Sequence, residues 1–150
     1  MNKKAFSYIE IIIVISVLAI FSGMALLFGQ ASQVRADVNA EAGNLASYLR
    51  LAQSRAMSGE GNSDHGIHLQ GDSYIVFEGS VYTASDLNNY KIKLPNTIEI
   101  RNINLNTSSS DVIFTQPKGE TLNYGTFELY SSQIDKKIPF KITSIGSIDY

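Results

Sequence analysis

An unbroken apolar run near the amino terminus limits what this chain can fold into more than any other feature. Residues 11–28 carry no charge and consist largely of Ile, Val, Leu, Phe and Ala. At 1.5 Å per residue, a helix of this length covers about 27 Å, close to the hydrocarbon thickness of a bilayer. The run therefore predicts a single transmembrane helix whose ends are Ile11 and Phe28.

One acid, Glu10, stands directly before this run and behind a short head that contains Lys3 and Lys4. A carboxylate in the apolar part of a span costs on the order of 3 kcal/mol, so Glu10 is a candidate functional residue that needs a polar partner. No comparable basic group follows the run, which predicts a cytoplasmic amino terminus and an extracytoplasmic carboxyl domain. The expected location is a single pass in the inner (cytoplasmic) membrane.

Residues 3–10 read Lys-Lys-Ala-Phe-Ser-Tyr-Ile-Glu. With the apolar run behind them, they resemble the prepilin signature of type IV pilins and type II secretion pseudopilins. In that family a prepilin peptidase cuts before the Phe and methylates the new amino terminus, and the hydrophobic helix stays on the protein. The resemblance implies cleavage between Ala5 and Phe6, N-methylation of Phe6, and pairing of Glu10 with the terminal ammonium of a neighbouring subunit. Ala5 departs from the family's usual Gly, which puts the efficiency of processing in question.

Two plainer interpretations of the amino terminus stay open. A cleaved secretory signal would share the basic head, but its apolar core normally has ~7–15 residues, lacks an acid and ends at a small-x-small site. Gly23-Met24-Ala25 matches such a site only weakly. A plain signal anchor would have no need of Glu10 directly after Phe-Ser-Tyr-Ile.

Composition limits the rest of the chain to one modest domain. About 120 residues follow the apolar run, enough for one hydrophobic core. None of the 150 residues is cysteine, so no disulfide holds the domain together. The 12 basic and 14 acidic residues give a net charge of −2, which does not indicate a polyanion as the main partner.

Helical periodicity continues after the apolar run. Apolar residues within residues 29–57 are spaced by fours and threes, with polar residues mostly on the other faces. They are Val34, Val38, Ala42, Leu45, Leu49, Ala52 and Ala56. We therefore predict one long helix that packs this stripe against the protein's own sheet, with a partner helix as the alternative cover. Residues 58–64 are rich in Gly, Ser and Asn and are predicted to end the helix.

The remainder is predicted to be β-rich. Short segments rich in Ile, Val, Phe, Tyr and Thr alternate with turns, which predicts a meander of antiparallel strands. The predicted strands are residues 66–69, 73–78, 90–94, 98–103, 112–115, 126–130, 139–143 and 147–150. Gly71-Asp72 lies between the first two and predicts a tight hairpin turn.

Across this part the order of several fragments resembles the GspH/FimT branch, which comprises minor pseudopilins of type II secretion and minor type IV pilins. The fragments are residues 49–56, 93–96, 112–119, 125–127 and 142–148. The resemblance implies an α+β, pilin-like fold in which a long N-terminal helix, transmembrane in its first half, packs on antiparallel β-sheets. The implied organisation is a leader peptide (1–5), a transmembrane and polymerisation helix (6–28), its amphipathic continuation (29–57) and a β-rich globular head (58–150).

No motif in the sequence indicates catalysis. The chain has no cysteine nucleophile, no G-x-S-x-G and no glycine-rich phosphate loop, so we expect neither an enzyme nor a bound cofactor. His65 and His68 are ligand-type residues, but a metal site needs a third donor, and a strand would place them on opposite faces. We therefore expect exposed histidines at a turn and no metal. Glu99 and Glu128 alternate with apolar neighbours and are expected on a solvated sheet face.

Nucleic acid is not an expected partner. Some FimT-like minor pilins bind DNA through a basic Gly-Arg-x-Arg tail, whereas this chain has Gly146-Ser147-Ile148-Asp149 at the matching place. Lys136, Lys137 and Lys141 are nearby, but Asp135 dilutes their charge. A DNA-binding or adhesive minor pilin therefore stands only as the alternative function.

These features predict a structural minor pilin or pseudopilin. The expected partners are a prepilin peptidase, other pilins or pseudopilins, the inner-membrane assembly platform and membrane lipid. Type IV pili and type II secretion pseudopili use the same precursor chemistry, so both machines stay open as the destination.

Overall fold

The computed structural model describes the backbone of residues 7–150 and the side chains of residues 7–23 and 32–150. Over this range the chain forms an α-helix, a short 3₁₀ helix and eight strands. The helix α1 (Tyr8–Ser58) precedes the 3₁₀ helix (Glu60–Asn62). The strands are β1 (His65–Gln70), β2 (Ser73–Glu78), β3 (Tyr90–Lys93), β4 (Ile98–Leu105), β5 (Asp111–Phe114), β6 (Gly125–Ser131), β7 (Lys136–Ile142) and β8 (Ile148–Asp149).

Helix α1 ends where Gly59 adopts a left-handed backbone conformation. Its φ is 69°, and its N–H donates to the carbonyl oxygen of Ala56 at 3.1 Å. Glycine takes this conformation without strain because it has no Cβ. The predicted helix end at residues 58–64 is therefore confirmed.

Within residues 7–150 the strands form two antiparallel sheets of four strands each, with the orders β3-β2-β1-β5 and β4-β6-β7-β8. Gln70 pairs with Ser73, which confirms the two-residue turn at Gly71-Asp72. The simple meander is wrong, because β5 returns to pair with β1 and β4 pairs with β6. The chain therefore passes between the two sheets three times, after β3, β4 and β5.

The core lies between α1 and the two sheets. The predicted helix stripe is confirmed, since its members from Val38 to Ala56 are at most 1% exposed. The first sheet contributes Ile67, Leu69, Tyr74, Val76, Val112 and Phe114. In the second sheet, Phe127 and Phe140 are cross-strand partners whose rings stack at 4.8 Å between centroids. One continuous core thus fixes both sheets to the same helix.

The predicted fold class needs correction at its first element. A long N-terminal helix that is transmembrane in its first half is wrong for the described chain, because no helix within residues 7–23 and 32–150 is long and apolar enough to cross a membrane. Further along, residues 32–58 carry charges such as Arg35 and Asp37. Residues 7–150 form a small α+β fold with two antiparallel sheets, as predicted for the part beyond the apolar run.

The predicted location fails for the same reason. A single pass through the inner membrane requires a spanning helix, and the described residues contain no such helix. Phe28, the predicted end of the span, lies among the residues whose side chains are not described.

Candidate functional site

The first part of α1 is apolar on all sides and lies outside the core. Every residue from 8 to 23 is exposed, including Ile9 at 63%, Leu18 at 59% and Phe21 at 66%. Among the residues of α1 whose side chains are described, the first to pack against the core are Val34 and Val38. We call residues 8–23 the apolar segment.

The surface of the apolar segment is almost entirely hydrocarbon. The Ser16 hydroxyl donates to the carbonyl oxygen of Ile12 at 2.8 Å, so this polar group is satisfied within the helix. Covering one Ile, Leu or Phe side chain is worth about 1.5–3 kcal/mol, and large exposed apolar patches mark interaction sites. The apolar segment is therefore a candidate surface for contact with another apolar surface.

Glu10 is the one charged residue of the apolar segment. It lies in the first turn of α1, where its backbone N–H donates to the carbonyl oxygen of Ser7 at 3.0 Å. With Ile11, Val14 and Ile15 it lines a shallow groove of about 290 Å³ on the helix surface. A carboxylate near a helix amino terminus is favoured by the helix dipole. Among the described residues, none forms an ion pair with Glu10.

The other residues implied by the prepilin resemblance cannot be placed beside Glu10. Ala5 and Phe6, the implied cleavage site and methylation site, lie outside the described residues. Ile11, the predicted start of the span, follows Glu10 in α1 and is 47% exposed.

The two histidines lie in β1 and not in an exposed turn, which corrects the sequence interpretation. His65 is 2% exposed, and its Nε2 lies 2.9 Å from the carbonyl oxygen of Glu60. His68 Nδ1 lies 2.5 Å from Asp111 Oδ1, and its ring stacks on Tyr82 at 4.0 Å between centroids. Within the described chain, no three His, Asp or Glu side chains are grouped to hold a metal. Both imidazoles therefore make structural contacts.

Glu99 and Glu128 lie on neighbouring strands, each with its own partner. Glu99 Oε1 is 3.2 Å from an Arg101 guanidinium nitrogen, and Glu128 Oε2 accepts a hydrogen bond from Asn102 at 2.8 Å. Arg101 also lies over the Tyr130 ring, with Cζ 3.3 Å from the ring centroid. These contacts fit the predicted solvated sheet face.

The carboxyl-terminal tail is part of the fold. Ile148 is 9% exposed in β8, which pairs with β7, and the carbonyl oxygen of Gly146 accepts a hydrogen bond from Gln53 at 3.0 Å. The tail is thus held against the helix and the sheet.

Sequence reasoning missed a group of basic residues that the fold brings together. The turn between β6 and β7 lies beside α1, where Lys136 Nζ donates to Asn39 Oδ1 at 2.6 Å. Arg35, Lys136 and Lys137 thereby come to line one groove of about 360 Å³, together with Ile134 and Asp135. We call this groove the basic notch. Lys136 and Lys137 were visible as a pair in the sequence, but nothing there linked them to Arg35.

Comparison with known proteins adds no family to this description. No protein-family model, curated protein or solved structure matches this chain.

Proposed function

We propose that this chain is a structural subunit of a pilus or secretion pseudopilus, joined to its neighbours through the apolar segment. The proposal rests on one observation: all of residues 8–23 are exposed, and they contain a single acid, near their start. A helix that is apolar on every side needs apolar cover, because its surface is unfavourable in water. Neighbouring subunits supply this cover when their segments bundle side by side.

Glu10 sets the register of the bundle. A carboxylate enclosed by apolar neighbours is strongly penalised unless an opposite charge pairs with it. By the prepilin resemblance, that charge is the amino terminus of a neighbouring subunit, created when a prepilin peptidase cuts between Ala5 and Phe6. The expected partners are this peptidase, other pilin-like subunits and the assembly platform.

Replacement of Glu10 tests the proposal in cells that carry the complete assembly system. Glu10→Gln and Glu10→Ala remove the charge while keeping the segment helical. We expect the amount of protein in the cell to stay unchanged and its recovery in the isolated filament fraction to fall by at least about tenfold, because the neighbour's ammonium is left unpaired.

Ser16→Ala is the matched control, since it changes a polar side chain of the same segment that is already satisfied by Ile12. It should assemble like the wild type. Recovery of Glu10→Gln in filaments at the wild-type level would contradict the role given to the acid.

A further inference from the structure

The basic notch contains three cations and one acid. Neither Arg35 nor Lys137 forms an ion pair with a described residue, and both lie on the exposed surface. The acid within the notch, Asp135, accepts a hydrogen bond from the Tyr130 hydroxyl at 3.2 Å. Lys136 is held by Asn39. The notch therefore presents two exposed cations that have no ionic partner among the described residues.

An acidic surface lies near the carboxyl end of α1. We call Glu60, Asp64 and Glu78 the acidic end. Glu78 is the exposed last residue of β2, and it forms no ion pair within the described chain. Glu60 has a partner in Arg55 at 3.5 Å, whereas Asp64 accepts a backbone N–H from Gln116 at 3.0 Å. Two of the three carboxylates thus lack a cationic partner in the described chain.

The helix separates the two surfaces. Arg35 lies near the middle of α1. The helix ends at Ser58, directly before the 3₁₀ helix that contains Glu60. This length of helix rises about 35 Å. The basic notch and the acidic end therefore lie at opposite ends of this stretch of α1.

We propose that the basic notch of one copy binds the acidic end of the next copy. The two surfaces differ, so the contact is heterologous and generates an open row of copies where the geometry does not close. Complementary charge selects the partner and its orientation, although each exposed ion pair is weak and screened by salt. This contact between β-rich domains goes beyond the proposed function, because it does not involve the apolar segment.

Charge reversal tests the contact on the full chain in a nonionic detergent, which covers the apolar segment. Association is measured by sedimentation velocity at low and high salt. We expect salt-sensitive self-association of the wild type, weakened at least about threefold by Lys137→Glu or by Glu78→Lys. Each of these variants brings like charges together when it meets another copy of itself.

Mixing the two variants gives the decisive result. A Lys137→Glu copy and a Glu78→Lys copy present opposite charges at both contacts, so the equimolar mixture should associate as the wild type does. Lys91→Glu, which reverses an exposed cation on the edge strand β3, is the matched control and should have no effect. Unfolding midpoints establish that all three variants are folded.

The proposal is overturned if the folded variants associate like the wild type, if the mixture fails to recover, or if the wild type shows no salt-sensitive association. Glu10→Gln should behave as the wild type in this assay because the detergent covers its surroundings. A failure here therefore leaves the role of the apolar segment intact, and a failure of the filament test leaves this contact intact.

Discussion

The side-chain amide of Gln53 donates a hydrogen bond to the carbonyl oxygen of Gly146 at 3.0 Å, which joins the helix to the turn before β8. The same nitrogen donates to the carbonyl oxygen of Gly119, also at 3.0 Å. Gly146 has a φ of 83°, and a Cβ added there would collide with Gly119 and with Gln53. One side chain of α1 therefore holds together two loops that precede strands of the second sheet.

Loss of this amide should destabilise the fold measurably. Gln53→Ala leaves two partly buried carbonyl oxygens without their donor, so we expect the free energy of unfolding to fall by about 1–3 kcal/mol in urea titrations. Ser54→Ala, at the exposed neighbouring position, should change it by no more than about 0.5 kcal/mol. Equal midpoints for the two variants would show that Gln53 does not hold the loops.

The buried hydroxyl of Tyr74 should be dispensable. Tyr74 is fully buried, and its hydroxyl has no hydrogen-bond partner in the described chain. On folding, the Tyr74 hydroxyl loses its hydrogen bonds to water and gains none from the protein. Tyr74→Phe removes this hydroxyl, so the free energy of unfolding at neutral pH should stay equal or rise by up to about 1–3 kcal/mol. Tyr124→Phe, at a 40% exposed ring, is the control. A clear loss of stability in Tyr74→Phe would reveal a partner for the hydroxyl.

Tyr74 should also contribute to unfolding by alkali. Burial raises the pKa of the Tyr74 hydroxyl far above its ordinary value, and Glu41, Tyr48 and Tyr90 raise it further. The folded state therefore keeps the proton where the unfolded state releases it, so this stability is complete below about pH 10 and is lost as the pH rises above it. The stability advantage of Tyr74→Phe over the wild type should grow above pH ~10. An advantage independent of pH would contradict this assignment.

Tyr82 should anchor the loop between β2 and β3. Its ring stacks on His68 and meets Phe77 edge to face at 5.5 Å. Tyr82→Ala should speed amide hydrogen exchange in residues 79–89 by about two- to tenfold, with little change in β1 and β2. Leu87→Ala, at a 98% exposed position in the same loop, should have no such effect. Unchanged exchange in Tyr82→Ala would mean that other contacts hold the loop.

The regular elements of the head followed from local patterns in the sequence. Short segments rich in Ile, Val, Phe, Tyr and Thr marked the strands, and the spacing of Val38, Ala42 and Leu45 marked the buried helix face, because both patterns reflect the local preferences of an element. They do not report which strand lies next to which. The return of β5 to β1 was therefore invisible, and so was the approach of Arg35 to Lys137.

The residues of the apolar segment could be predicted from the sequence, but what covers the segment could not. Glu10 and the apolar residues around it can be read directly from the sequence. The transmembrane prediction relied on the same composition, which a helix apolar on all sides has whether lipid or protein covers it. The burial of His65 was missed because a strand next to a turn can face either the core or water.

The amino-terminal residue of the mature chain shows whether the apolar segment is retained for assembly. Assembly through the apolar segment requires this segment to stay on the protein after a cut between Ala5 and Phe6. Intact-mass and peptide mass spectrometry of the protein from its native cells should therefore find a chain that begins with N-methylated Phe6. A chain that begins beyond Phe28, or one that still begins with Met1 in cells with an active prepilin peptidase, would contradict it.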